Sequence, residues 1–268
     1  MQIVAIIAAR NEEAYIANSL RYLIANGIYF AILDNGSTDS TMAIATGAEF
    51  HSSSVGLEQV KYAGAYNWTD ILQRKMEVIN RIDADWVIHL DADEIMHSYH
   101  LGEHLADAIR RIDEQGFNVI NFDEFVFLPI DYDYEPDRHG PQRMRHYYFF
   151  EPFAPRLMRA WKKAAGLSMV DAGGHVLSGP HIRLAPETMA LRHYIFRDQN
   201  HAFTKYAERR FGPEDLARGW HRQRANQPIE NFRLPAASHL SRLSEADARE
   251  FDRTRPAKLH YWHWPKAN

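Results

Sequence analysis

The chain has 268 residues, 46% hydrophobic and 25% charged, with no cysteine and a formal net charge of -4. That length can bury a full core without staples, and the missing cysteines exclude disulfides and thiolate metal sites. The mild acidity excludes a generally basic surface for nucleic acid. No apolar run approaches the ~20 residues that span a bilayer. The first residues, MQIVAIIAARNEE, lack a basic start and a small-residue cleavage pattern, so no signal peptide is expected and the protein is read as soluble and cytoplasmic.

The first third alternates strand and helix patterns. Residues 3–8 are a short apolar run, read as a buried strand that stops at Arg10-Asn11-Glu12-Glu13. Asn11 fits a helix N-cap and the two glutamates fit a positive helix start. Ile16, Leu20, Leu23 and Ile24 follow helical spacing, and Asn26-Gly27 ends that helix. A second strand over 29–33 runs into Asp34-Asn35-Gly36-Ser37-Thr38-Asp39. A short helix over 40–46 and a third strand near 48–51 are expected next. This order implies a parallel sheet with right-handed crossovers. Residues 52–69 read as a loop. A helix over 70–81 carries Leu72, Met76 and Ile79 on one face. The strand 86–90 then ends directly on Asp91-Ala92-Asp93-Glu94.

A helix over 101–115 follows, and 117–127 reads as one or two strands. The second half is less regular, with a polar loop over 131–145 and short strands expected at 147–150, 156–161 and 175–177. The stretch 191–196 is a clearer strand, followed by a helix over 199–210. From Pro213 onward the chain is charged and expected to be helical in part.

Asp91 and Asp93 are the leading chemical feature. Ligands of open parallel sheets bind at the carboxyl ends of strands. Residues two apart on an extended segment point the same way, so both carboxylates can face one ion. Hard oxygen ligands suit Mg²⁺ or Mn²⁺, which leave positions for phosphate oxygens and act as Lewis acids on a leaving group. An isolated D-x-D pattern is more often a solvated turn, and it is the buried strand before it that favours the ion site. Asp34 ends another strand, where a carboxylate can accept from a base or from ribose hydroxyls; taken alone, a well-capped turn explains it better. The end of the first strand, Ala8 to Glu12, could frame a base or simply cap a helix.

Together, IIAARNEEAYIANSLRYLI, LDNGSTDST and DADWVIHLDADE resemble the family 2 type of glycosyltransferase over residues 1–125. The resemblance implies an α/β GT-A fold, a mostly parallel Rossmann-like sheet flanked by helices. Residues 1–125 would form the nucleotide-sugar-binding half, and 126–268 a less regular acceptor-side half of the same domain. It further implies a UDP- or GDP-sugar donor, a Mn²⁺ or Mg²⁺ ion and a carbohydrate or lipid-linked acceptor. Ala9, Asn11 and Asp34 match nucleoside contacts, Asp91 the ribose or the ion, and Asp93 the ion. Arg74 is a weaker candidate for nucleoside or phosphate contact, with a solvated helix arginine as the plain alternative. Many members carry two adjacent acids where this chain has Asp34-Asn35, so the base contact is open between those positions. The Gln-x-x-Arg-Trp signature of processive synthases is missing, which favours a non-processive enzyme.

The second half must supply acceptor recognition and, if transfer inverts the anomeric centre, a base. Asp123 and Glu124 are the leading base candidates, with Glu94 and Asp171 behind them. In Gly173-Gly174-His175 the glycines permit close backbone approach, and His175 is a candidate third metal ligand; a packed histidine after a turn fits equally. His193 is a second ligand candidate, and Arg197, Lys205 and Arg209 could meet a diphosphate or form a solvated helix face. The basic, aromatic tail 253–264 could close over the donor, though simple docking onto the core is favoured.

Three other readings compete. A nucleotidyltransferase would need a glycine-rich loop where Ala8-Ala9-Arg10-Asn11 stands. A non-catalytic nucleotide- or carbohydrate-binding protein would have little need of Asp91 and Asp93. A metal phosphohydrolase would show two-metal clusters that the spacing lacks. P-loop and dinucleotide-binding glycine signatures are missing.

Overall fold

A computed structural model of the chain describes residues 1–131, 134–136, 140–221 and 228–265. Residues 132–133 and 137–139 of the expected loop, and 222–227 and 266–268 of the region after Pro213, lie outside the described residues.

Strands β1 (Ile3–Ala9), β2 (Tyr29–Asp34), β3 (Ser54–Gln59) and β4 (Trp86–Asp91) run parallel, in the order β4-β1-β2-β3. The central strands read as unbroken apolar runs because both of their faces are covered. Ile3, Ala5 and Ile7 of β1 point into a core shared with α1 (Ile16–Ala25), and Val4 and Ile6 into a second core. That second core packs on Ile71, Leu72, Val78 and Ile79 of α3 (Trp68–Arg81), which follows the short α2 (Thr41–Ala45). The period-2 alternation of a strand therefore makes the three layers. Each fully buried Ile or Leu in them contributes about 1.5–3 kcal/mol over an exposed one.

β5 (Glu94–His97) and α4 (Leu105–Glu114) lead into β6 (Val119–Phe127), buried along all nine residues. β8 (Leu157–Lys162) pairs with the first half of β6 and with β4, and β7 (His146–Phe150) pairs with its second half. On the opposite edge β6 carries β9 (Met189–His193), which also pairs with β5. β7 and β8 run the same way, so they are one strand interrupted by residues 151–156, which loop out opposite Asp123. Asn121 closes the interruption: its Oδ1 accepts from the N–H groups of Arg156 (3.1 Å) and Leu157 (2.9 Å). With β10 (Ser241–Arg242), the described residues form one ten-stranded, mostly parallel sheet in which the two halves of the chain share strands.

Several expectations need correction. The third strand is 54–59, inside the expected loop, and 48–50 is a single 3-10 turn. As an edge strand β3 buries too little for its pattern to read clearly, and Leu57 is 45% exposed. Residues 175–177 form no strand, and β5 was not anticipated. The helix expected over 199–210 is one α-turn, Gln199–Ala202, that widens into a π-turn over Phe203–Ala207. Asn11 caps no helix; it has φ 55° and its Oδ1 accepts from the Thr38 N–H at 2.8 Å.

Candidate active site

The registers Ala9↔Asp34 and Ala8↔Asp91 bring the carboxyl ends of β2, β1 and β4 level. Arg10 pins the first two together. Its guanidinium donates to the carbonyls of Asn35 (2.9 Å) and Gly36 (2.5 Å) and lies 3.4 Å from the centre of the Tyr62 ring. Gly36 has φ 71°, and a Cβ there would stand 3.0 Å from Tyr62. Above these strand ends opens a cleft of about 520 Å³. Its floor holds Ala8, Ala9, Asp91, Ala92, Asp93 and Glu94, and its walls include Tyr66, Trp68, Phe153, His175, Trp220 and Trp262.

A chain of alternating charges crosses this cleft. Lys205, on the π-turn, places Nζ 2.6 Å from Asp93 Oδ2 and 3.9 Å from Glu12 Oε1. His193 Nε2 lies 3.4 Å from the same Asp93 oxygen, and its Nδ1 is 2.7 Å from Glu124 Oε1. Arg156 closes the row on Glu124 Oε2. Six segments distant in sequence thus meet in the order Glu12, Lys205, Asp93, His193, Glu124, Arg156.

The electrostatics follow from burial set against partners. Burial would raise the Asp93 carboxyl, but Lys205 and His193 outweigh it and hold Asp93 well below the carboxylate range. Burial would also raise Glu124, and Arg156 and His193 reverse it. Burial would lower His193, yet its two carboxylate neighbours hold it well above the usual histidine value. Glu12 goes the other way: burial lifts it to about 7 against the pull of Lys205. Below Asp91, the fully buried Lys75 is brought down to about 8 by burial; its Nζ donates to the Leu90 carbonyl (2.9 Å) and lies 3.5 Å from Asp91 Oδ1. Glu94 Oε2 accepts from the Asp91 N–H (3.0 Å), and its Oε1 faces Arg159 Nη2 at 3.4 Å.

Of the residues expected at the site, the cleft wall includes Ala9, Asp91, Asp93, Glu94, Glu124, His175, His193, Lys205 and Arg209. Asp34 is buried, with both oxygens within 3.2 Å of the Ser37 N–H, and it is Asn35 that lines the cleft. Asn11 is exposed beside the same turn. Arg74 does not reach the cleft: its side chain is 54% exposed and pairs with Glu77, three residues on. Asp123 faces away from Glu124, because neighbours on a strand point to opposite faces; it accepts from Tyr99 (2.8 Å), Thr188 (2.8 Å) and Arg253 (3.1 Å). Asp171 is exposed and accepts from Ser178 Oγ at 2.8 Å. Arg197 stands outside the cleft wall.

The C-terminal tail docks onto the core, with Phe251 stacked 4.0 Å from Phe125 and His260 accepting or donating at 2.8 Å to the Tyr148 hydroxyl. It also contributes Lys258, His260 and Trp262 to the cleft. Arg156 and Arg159 are cleft residues that the motifs do not single out, and Lys75 lies buried beneath the cleft against Asp91. The signal for Lys75 was its place on the apolar face of α3, between Ile71 and Val78.

Among the described residues no three His, Asp or Glu side chains cluster tightly enough to enclose a metal ion. Mg²⁺ and Mn²⁺ need less from the protein, because substrate phosphates and water complete their shells. Asp91 offers a carboxylate that is 31% exposed. Both cations on Asp93 fall on Oδ2, so its Oδ1 remains available. This donor set of hard oxygens fits a divalent cation.

The model of the family described as Glycosyl transferase family 2 matches residues 4–163, more than half of the chain. A search of curated proteins finds no match. Among solved structures, Staphylococcus aureus TarS 1–349 in complex with UDP-GlcNAc is 15% identical with a TM-score of 0.44, covering 72% of this chain and 58% of that one. The mannosyltransferase PcManGT from Pyrobaculum calidifontis, in complex with GDP-Man and Mn²⁺, is 17% identical with a TM-score of 0.38, covering 79% and 54%. Glucosyl-3-phosphoglycerate synthase from Mycobacterium tuberculosis, in complex with Mn²⁺, UDP and glucosyl-3-phosphoglycerate, is 21% identical with a TM-score of 0.30, covering 47% and 44%. The chain therefore spans less than two thirds of the length of these structures. The family match runs from β1 through β8 and takes in the strand ends that bring Ala9, Asp91 and Glu124 to one cleft: the chain belongs to glycosyl transferase family 2.

Proposed function

We propose that the chain transfers a sugar from a nucleotide-diphosphate donor to an acceptor hydroxyl, without processivity and with inversion at the anomeric centre. The observation that carries this reading is the meeting of Ala8–Ala9, Asn35 and Asp91–Glu94 on one cleft at the carboxyl ends of parallel strands, where nucleotide ligands of such sheets bind. Asp91 and Asp93 would hold Mn²⁺ or Mg²⁺, and the ion would supply Lewis acidity to the diphosphate leaving group. Ala9 and Asn35, with the Asp34 turn behind them, would frame the nucleoside. Of the two leading base candidates Glu124 is the one that faces the cleft, and it is held ionised by Arg156 and His193. The aromatic wall of Phe153 and Trp220 offers flat apolar faces suited to a carbohydrate acceptor.

The test is a thermal-shift titration with UDP and GDP, with and without Mn²⁺ or Mg²⁺. A larger rise in melting temperature with the ion, lost in Asp93→Ala, is the expected result. An equal rise in EDTA removes the metal bridge, and no rise with either nucleotide removes the donor reading. Release of the nucleoside diphosphate only with acceptor present separates transfer from binding alone, and release of pyrophosphate would make the protein a nucleotidyltransferase.

A further inference from the structure

Arg159 lies in the middle of β8, within the apolar run Leu157-Met158-Arg159-Ala160-Trp161, and only 4% of it is exposed. The Ala160↔Ile88 pair sets it beside His89, on the face of the sheet that also carries Asp91 two residues further along β4. It forms part of the cleft wall. Its one hydrogen bond is long, Nη2 to Glu94 Oε1 at 3.4 Å, while Nε and Nη1 are buried with no partner among the described residues. Guanidinium N–H groups are obligatory donors, and leaving them buried without acceptors is costly. A strand interior keeps such a group only where something else supplies the acceptors.

The other lysines and arginines among the described residues of the cleft wall have partners. Lys205 is on Asp93, Arg156 on Glu124, Lys258 on the carbonyl of Glu151 at 2.6 Å, and Arg10 on two carbonyls of the Gly36 turn. Arg209 lies 4.7 Å from the Tyr66 ring centre. One divalent ion on Asp91 and Asp93 neutralises only part of a nucleoside diphosphate. A second, fixed positive group on the Asp91 face would complete the match, and guanidinium suits phosphate oxygens.

We infer that Arg159 is the anion anchor of the cleft, its guanidinium turning to meet the diphosphate oxygens of the donor. This rests on the donor reading above. Glu94 acts as its positioning residue, tying the guanidinium through Nη2 to the turn that presents Asp91.

The experiment compares wild type, Arg159→Gln and Arg159→Lys by calorimetric titration with UDP and GDP in Mn²⁺, with uridine and guanosine as controls lacking phosphate. Arg159→Gln should weaken diphosphate binding by about tenfold or more and leave the nucleoside unchanged, and Arg159→Lys should recover part of the loss. Melting curves identify any variant that fails to fold, and the lysine variant keeps a charge in place if glutamine does not fold. Diphosphate binding by Arg159→Gln within twofold of wild type overturns the inference, as does an equal loss of nucleoside. If wild type takes neither nucleotide, inorganic pyrophosphate is titrated instead. Binding that Arg159→Gln loses then keeps the anchor and sinks the donor reading; the absence of binding sinks both.

Discussion

The Asp93–Lys205 pair yields a quantitative prediction. Its N–O distance is 2.6 Å, and the two side chains are 7% and 9% exposed. At an effective dielectric of about 20 the gross attraction is about 6 kcal/mol, offset by the cost of taking both ions out of water. Removing one partner leaves the other charged and buried, which costs about 3–5 kcal/mol. Lys205→Met and Asp93→Asn should therefore each destabilise the fold by about that much, because His193 and Glu12 replace the lost partner only in part. Removing both leaves no stranded charge, so the double variant should fall short of the summed loss by about 2 kcal/mol or more. Urea unfolding followed by tryptophan fluorescence measures all four corners of the cycle. Losses that add within about 0.5 kcal/mol would mean the two residues do not interact, and the charge chain would have to be redrawn.

Glu124→Gln should lower kcat by about 10²–10⁴ with nucleotide affinity unchanged, whereas Asp123→Asn should leave kcat near wild type and lower the melting temperature by loosening the tail; the reverse pattern in a steady-state assay would exchange their roles. His97 is buried with Arg192 beside it, and burial first, then that charge, brings its imidazole down to about 3. The unfolded chain takes up a proton below about pH 6.5 that the native state refuses, so this contribution is complete above that pH and falls by about 1.4 kcal/mol per unit toward pH 3. His97→Gln should flatten that slope in urea midpoints taken between pH 7 and 4, and an unchanged slope would refute the assignment. Asp215, itself buried, accepts from the N–H groups of Trp68 (2.5 Å) and Thr69 (3.1 Å) at the start of α3; Asp215→Ala should cost about 1–3 kcal/mol in the same unfolding assay, and a loss under 0.5 kcal/mol would show that solvent caps the helix as well.

The sequence pattern revealed those parts of the fold whose burial is symmetrical. β1, β2 and β4 lie in the centre of the sheet and read as apolar runs, and the spacing of Leu72 and Ile79 located α3. β3 stayed hidden because an edge strand alternates with solvent, and β5 because it begins on the acids themselves. Asp91 and Asp93 were legible because a strand ends on them. His193 and Lys205 were legible as candidates, but their pairing with Asp93, and the place of Glu12 and Arg156 in the same row, were not, since these segments are brought together only by tertiary packing. Asp123 and Glu124 show the boundary well. The pleat guarantees that one of two neighbours faces the cleft, but only the pairing of β6 decides which. Lys75 on an apolar helix face and Arg159 inside an apolar strand carry a signal of their own, a cation where the pattern is apolar.

The interruption between β7 and β8 separates two demands on this half of the chain. The sheet needs Phe150 and Leu157 held to β6, and Asn121 secures the point where pairing resumes. The excursion itself, with Phe153 exposed at 52% and Arg156 turned to Glu124, borders the cleft, and Glu151 at its start also holds the C-terminal tail. Lengthening such a loop costs little, about 0.6 kcal/mol per doubling. Residues can be added or exchanged there without shifting the strand register, so this side of the cleft can be reshaped while the acids at the strand ends stay where they are.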